Sequence, residues 1–195
     1  MRALYPAIGI SLLWGASSAL SQPGAPDPAA LIQSERDAMR PLSWMDGRWE
    51  GPGWAQTPQG RHEILQTERI GPMLSGSIKV VEGKSFETSG QPAAFNAFGV
   101  ISFDPAGSNY TLHSYAQGRA GDFPMKLTAD GYVWSIPSGP VTIRYTARLH
   151  EGNWREIGEI VRPDGGSVQI FEMNLHRVGD SGWPLAGEAI SPHTR

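Results

Sequence analysis

The sequence predicts an all-β chain: a single antiparallel up-and-down β-barrel of about ten strands, preceded by one short helix. Three observations carry this. Twenty-four glycines and sixteen prolines punctuate the chain at short intervals, as turn-rich β structure demands. The segments between them alternate apolar and polar residues, the pattern of strands with one covered face. The stretch Gly47-Arg-Trp-Glu-Gly-Pro-Gly-Trp54 places Gly47, Trp49, Gly51 and Gly53 on one face of a first strand. Glycine at such positions signals close approach by another part of the molecule.

The first residues precede the fold. Arg2 supplies a short positive segment, and Ala7 to Leu13 an apolar one. Ala19-Leu20-Ser21 then fits a cleavage site before Gln22, so residues 1–21 read as a signal peptide. The apolar run of about 12–14 residues is short of the ~20 that a spanning helix needs. The expectation is an exported protein, periplasmic or secreted, without a stable membrane anchor. The chain has no cysteine, which removes thiol catalysis and thiolate metal sites. A net charge of −3 without a basic run argues against nucleic acid as a partner. Length gives one domain.

Residues 22–45 form a leader and the helix. Asp27-Pro28 is a helix start, with Asp as N-cap and Pro in the first turn. The helix extends to about Arg40, and Leu31, Ala38 and Leu42 give it a weak apolar face. It therefore lies on the surface or plugs one barrel end. Pro41 to Asp46 is read as a tight turn into the first strand.

The barrel spans residues 46–179. Turns are expected at Thr57–Gly60, Gly71-Pro72, Glu82-Gly83, Asp104–Gly107, Asp130-Gly131, Pro137–Pro140, Gly152-Asn153 and Pro163–Gly166, each rich in turn formers. Residues 180–195 lack periodicity and read as a flexible tail that Trp183 anchors.

Pairing across these turns assigns the faces, because partners share a side. Val141, Ile143, Tyr145, Ala147 and Leu149 point inward. The Gly152-Asn153 turn is expected to pair Leu149 with Glu156 and Ala147 with Gly158. The next turn pairs Glu156 with Met173 and Gly158 with Phe171. The inward set on these strands then includes Trp154, Glu156, Gly158, Ile160, Gln169, Phe171, Met173, Leu175 and Arg177. A one-residue slip would invert part of it. Around Asp104–Asn109 the inward face holds Phe95, Ala97, Gly99, Ile101 and Phe103 with Tyr110, Leu112, Ser114 and Ala116. Ile78 and Val80 inward bring in Gln66 and Glu68. Small inward residues (Gly51, Gly53, Gly99, Ser114, Ala116, Gly158) leave either a ligand cavity or space that large side chains fill.

The inward polar and aromatic residues are the candidate ligand contacts: Glu68, Ser114, Trp134 and Tyr145 on one set of strands, and Glu156, Gln169, Phe171 and Met173 on the other. Glu156 and Glu68 are also the candidate catalytic pair, since buried carboxylates titrate high and suit acid–base work. An internal ion pair is the alternative for Glu156. The scattered histidines give no metal site. His113 falls on the outer face with Tyr115 and Phe98, as a solvated side chain. There is no Gly-x-Ser-x-Gly motif and no phosphate loop.

Gly47-x-Trp49 on the first strand with Arg177 on the last resembles the calycin (lipocalin-like) superfamily. The resemblance implies barrel closure by Trp49 and Arg177, the basic side chain covering the ring as a cation–π contact. The ordered set Gly47-x-Trp49-x-Gly51, Glu68, Leu74-x-Gly76, Gly99-x-x-x-Phe103-Asp104, Tyr110, Trp154-x-Glu156 and Met173-x-Leu175-x-Arg177 is similar to a bacterial lipocalin-like family catalogued as domain of unknown function 1579. That family implies a ten-stranded barrel and no established reaction. Gly-x-Trp-x-Gly-x-Gly also resembles nitrobindins, which implies haem on a late-strand histidine. Here that residue is His176, placed on the outer face beside Arg177. The expected function is an exported barrel that binds a small apolar or amphipathic molecule without a cofactor. The alternatives are a small-molecule lyase or isomerase using the inward carboxylates, and a haem-binding barrel.

Overall fold

The computed structural model describes residues 27–88 and 92–183, without the side chains of 92–94. The expected signal peptide and most of the expected flexible tail lie outside the described residues.

Helix α1 (Pro28–Met39) begins as its sequence dictates, with Asp27 Oδ1 accepting a hydrogen bond from the Ala29 N–H at 3.1 Å. A 3₁₀ helix, Arg40–Met45, follows in place of the expected tight turn. It carries Leu42, Met45 and the half-buried Trp44 into the barrel end. The helix itself, with only Met39 buried, lies mostly on the surface, and the 3₁₀ segment after it plugs the barrel end.

The ten strands are β1 (Gly47–Thr57), β2 (Gly60–Met73), β3 (Ile78–Glu87), β4 (Pro92–Asp104), β5 (Asn109–Ala116), β6 (Arg119–Leu127), β7 (Gly131–Ser138), β8 (Val141–His150), β9 (Asn153–Val161) and β10 (Ser167–Gly179). Each pairs antiparallel with the next, and β1 pairs with β10 to close the barrel. The hairpin at Asp104–Asn109 has the expected register: Ala97 faces Ala116, Gly99 faces Ser114, Ile101 faces Leu112 and Phe103 faces Tyr110.

Five expectations about turns, pairing and facing need correction. Glu82-Gly83 is not a turn but the middle of β3. Gly71-Pro72 also stays in strand, and the chain reverses just after it in the short 3₁₀ turn Leu74–Gly76. With β3 unbroken, Pro72 faces Lys79, Ile70 faces Val81 and Glu68 faces Gly83. Ile78 and Val80 therefore point outward, whereas Gln66 and Glu68 do point in. On the β8–β9 hairpin the loop is Glu151-Gly152, both at positive φ, so Leu149 faces Trp154, Ala147 faces Glu156 and Tyr145 faces Gly158. The expected pairing was two residues off, and a two-residue offset preserves the face. A bulge in β10 between Gln169 and Phe171 does change a face: Gln169 sits opposite Glu159 on the outer wall.

One end of the barrel is packed shut. Trp44, Trp49, Tyr132 and Trp154 form a ring cluster with centroid separations of 5.4–6.4 Å, most of them edge-on, each such contact worth about 0.5–1.5 kcal/mol beyond area burial. The Trp49 Nε1–H donates to the Met45 carbonyl at 2.8 Å, which ties the plug to the first strand. Arg177 does not stack on Trp49. Among the described residues the cations over indole rings are Arg61 on Trp54 and Arg69 on Trp183. Arg177 instead donates to the Asp46 carbonyl at 3.1 Å and to Asp180 at 2.6 Å, with its side chain 45 % exposed. The seal is built from aromatic packing. A buried ion pair of Lys79 with Asp46 stands at the same end. Trp183 lies against β2, close to Gly71 and under Arg69.

Toward the other end the inward side chains lose burial. Along β8, Ala147 is buried while Tyr145, Ile143 and Val141 are half-buried. Trp134, Phe171, Leu112 and Ser114 are half-buried as well. The barrel interior, called the well below, is thus closed by an aromatic floor and less covered toward its mouth. Its wall has a seam: the β6–β7 ladder covers only Met125 to Leu127 against Tyr132 to Trp134. Pro124, next along β6, has no N–H to continue it.

Candidate functional site

The floor of the well is carboxylate-lined. Glu68 rises from β2 beside the aromatic plug, directly across from Trp49 and Gly83. A Cβ on Gly83 would lie 2.7 Å from Glu68 Oε1, so this glycine, read from sequence as part of a turn, gives the carboxylate its space. Gln66 Nε2 donates to Glu68 Oε1 at 2.8 Å. Ser85 Oγ in turn donates to Gln66 Oε1 at 2.6 Å, which fixes the amide orientation. Glu156 comes from β9, level with Ala147 and Met173. The Tyr132 hydroxyl donates to its Oε2 at 2.9 Å and the Trp134 Nε1–H to its Oε1 at 3.2 Å. The Trp154 indole N–H is also near this carboxylate but closes no hydrogen bond of its own.

The electrostatics follow from burial. Glu68 is pushed up to about 8, first by loss of solvation and then by the negative charges of Glu156 and Glu82, with Gln66 opposing. Burial also raises Glu156, against the pull of its indole and phenol donors. Burial and the Glu156 charge push Tyr145 up to about 12 and hold Tyr132 well above the ordinary phenol range. The charges acting on Glu68 are acidic, and Lys79, the buried cation, is engaged by Asp46. Among the described residues the pair thus has no internal salt bridge, the alternative read for Glu156, and Arg177 bonds Asp46 and Asp180 instead.

Above the carboxylates the wall is aromatic. Trp134 stacks on Tyr145 with centroids 4.4 Å apart, and Tyr145 meets Phe171 edge-on at 6.1 Å. Phe123 leans on Trp134 at 5.7 Å. Small inward residues serve this packing. A Cβ on Gly158 would sit 2.8 Å from Tyr145 Cε1, and one on Gly121 2.7 Å from Phe123 Cζ. At those positions the missing side chain is replaced by a neighbour's ring, so filling, not emptiness, explains these glycines.

Of the sequence-predicted contacts, Glu68, Glu156, Trp134, Tyr145, Phe171 and Met173 share this interior. Ser114 also faces in, between Gly99 and Gly121, nearer the mouth. Gln169 does not: its amide donates to Glu172 Oε2 at 2.8 Å on the outer wall. There Arg155 and two amides hold Glu172 down to about 2. His176 projects outward, 3.9 Å from Glu50 and 59 % exposed. Sequence reasoning missed Tyr132, Ser85 and Lys79. Tyr132 was within reach, because the Gly139-Pro140 hairpin sets it opposite the inward Ala147. Among the described residues no group of three or more His, Asp or Glu is placed to hold a metal ion. In comparison with known proteins, the chain matches no family model and no curated protein.

Proposed function

We propose that this chain is an exported, lipocalin-like barrel that binds a small amphipathic molecule in its well. The polar end of the ligand meets Glu68 and Glu156, and the apolar part lies along Trp134, Tyr145 and Phe171. The observation that supports this is the pair of interior carboxylates, which have no basic partner among the described residues. Deeply buried acids are costly unless paired. A ligand with a hydrogen-bond-donating or cationic head supplies the missing partner, and ring faces favour cations as well. The half-buried aromatic wall supplies the apolar contact such sites need. Glu68 retains its proton up to about pH 8 and Glu156 holds its donors, so the floor offers both a proton donor and acceptors. The test is native mass spectrometry of the full chain purified from its own host. A bound small molecule that is released on denaturation is the expected result. Protein that carries no adduct and takes up none from a host lipid and metabolite extract would count against the reading.

A further inference from the structure

Three outward side chains on adjacent strands join in one hydrogen-bonded relay, separate from the well. His113 on β5 stands directly opposite Asp122 on β6. Ser102 on β4 lies on the neighbouring diagonal, opposite Thr111. The Ser102 Oγ is 2.8 Å from His113 Nε2, and His113 Nδ1 is 2.7 Å from Asp122 Oδ1. A carboxylate can only accept, so Nδ1 bears the ring proton. Nε2 of the neutral ring is then an acceptor, and the Ser102 hydroxyl donates to it. Hydroxyl, imidazole and orienting carboxylate stand in the order that general-base activation of a nucleophile requires. The solvated histidine expected from sequence is thus held at both ring nitrogens.

The surroundings define a substrate surface. Ser102 and His113 are half-buried. One step toward the mouth on the same face, Phe98 and Tyr115 sit opposite one another, 44 % and 56 % exposed. A shallow depression bordered by Asn96, Tyr115, Arg119 and Ala120 continues from them. We propose that Ser102 is a nucleophile that takes the acyl group of activated aryl esters, with His113 as general base and Asp122 as its positioning residue.

His113 Nε2 accepts the Oγ proton as Oγ bonds to the ester carbonyl carbon. The adduct collapses with loss of the C–O bond to the aryl oxide, which leaves with that proton. Water then attacks the acyl carbon while Nε2 takes its proton. The bond to Ser102 breaks, the carboxylic acid departs and the proton returns to Oγ. The leaving group must be good for a structural reason. Main-chain N–H groups flanking Ser102 serve the β3–β4–β5 ladder, so water meets the developing oxyanion. Loss of a built oxyanion donor costs roughly 10²–10³ in rate, which restricts the site to esters already activated toward attack.

The full chain is incubated with p-nitrophenyl acetate, following nitrophenol release and locating the acetyl group by peptide mass spectrometry. The expected result is acetylation at Ser102, absent in S102A. H113Q lowers the acylation rate by roughly 10²–10⁴. D122N lowers it too, and D122E restores part of the loss, which a merely structural carboxylate at this exposed position would not do. Circular dichroism confirms that each variant is folded. Acetyl found only on lysines or the amino terminus overturns the proposal. So does labelling of Ser102 at an unchanged rate in H113Q, or wild-type rates in both Asp122 variants.

Discussion

Glu68→Gln is the substitution that most cleanly tests the burial of the carboxylate pair. The free carboxyl titrates near 4.5 and the folded one near 8. Between those values the native state binds a proton that the unfolded chain has lost, so stability falls as pH rises. Below about 4.5 both states are protonated and the difference vanishes; through the folded value it reaches its limit. At about 1.4 kcal/mol per pH unit, the interval is worth roughly 4–5 kcal/mol as an upper bound, part of it shared with Glu156. Glutamine keeps the acceptor for Gln66 Nε2 and cannot ionise. Urea unfolding of wild type and Glu68→Gln at several pH values between 4 and 9 measures the difference directly. Contributions from Glu172, Glu159 and the surface carboxylates occur in both proteins and cancel. The variant should match wild type near pH 4 and exceed it increasingly toward pH 9, by several kcal/mol. A stability difference that does not change with pH would refute the reasoning.

Three further outcomes follow from the same geometry. Asp46→Asn leaves the Lys79 ammonium, 2 % exposed, without its counter-ion, and should cost about 3–5 kcal/mol in thermal or chemical unfolding. Gly158→Val forces a side chain against Tyr145 and Phe171, with contacts beginning at 2.8 Å. It should cost about 1–3 kcal/mol and move the near-ultraviolet dichroism of the Trp134–Tyr145 stack. Arg177→Ala removes exposed bonds to Asp46 and Asp180, so its cost should stay near 1 kcal/mol or below. A much larger loss would restore the cation–π seal that the sequence suggested.

The fold was legible because its signals are local. Asp27-Pro28, the Asp104–Gly107 turn and the alternation of Val141 to Leu149 each follow from a few neighbouring residues. What escaped depends on long-range partners. Gly83 looks like a turn glycine until Glu68 is placed opposite it. Pro72 continues a strand because the reversal waits for Leu74, whose φ of +49° no residue preference announces. Gln169 left the interior through a bulge, and alternation has no way to mark an extra residue. Glu156 came through because an even offset in pairing keeps the face, whereas Glu68 points inward although Ile78 and Val80, the residues expected to share its face, turn outward. The Ser102–His113–Asp122 relay was invisible because its members come from three strands and no motif links them.

The central claim is that the well takes a ligand whose head donates to the carboxylate pair. Isothermal calorimetry of the full chain with dodecylamine and, separately, dodecanoate tests it most directly. The two share an apolar chain and differ in the head. Saturable binding of the amine, much weaker binding of the acid, and loss of that preference in Glu156→Gln are the predicted result. Equal affinity for both heads, unaffected by the substitution, or binding of neither, would contradict the account.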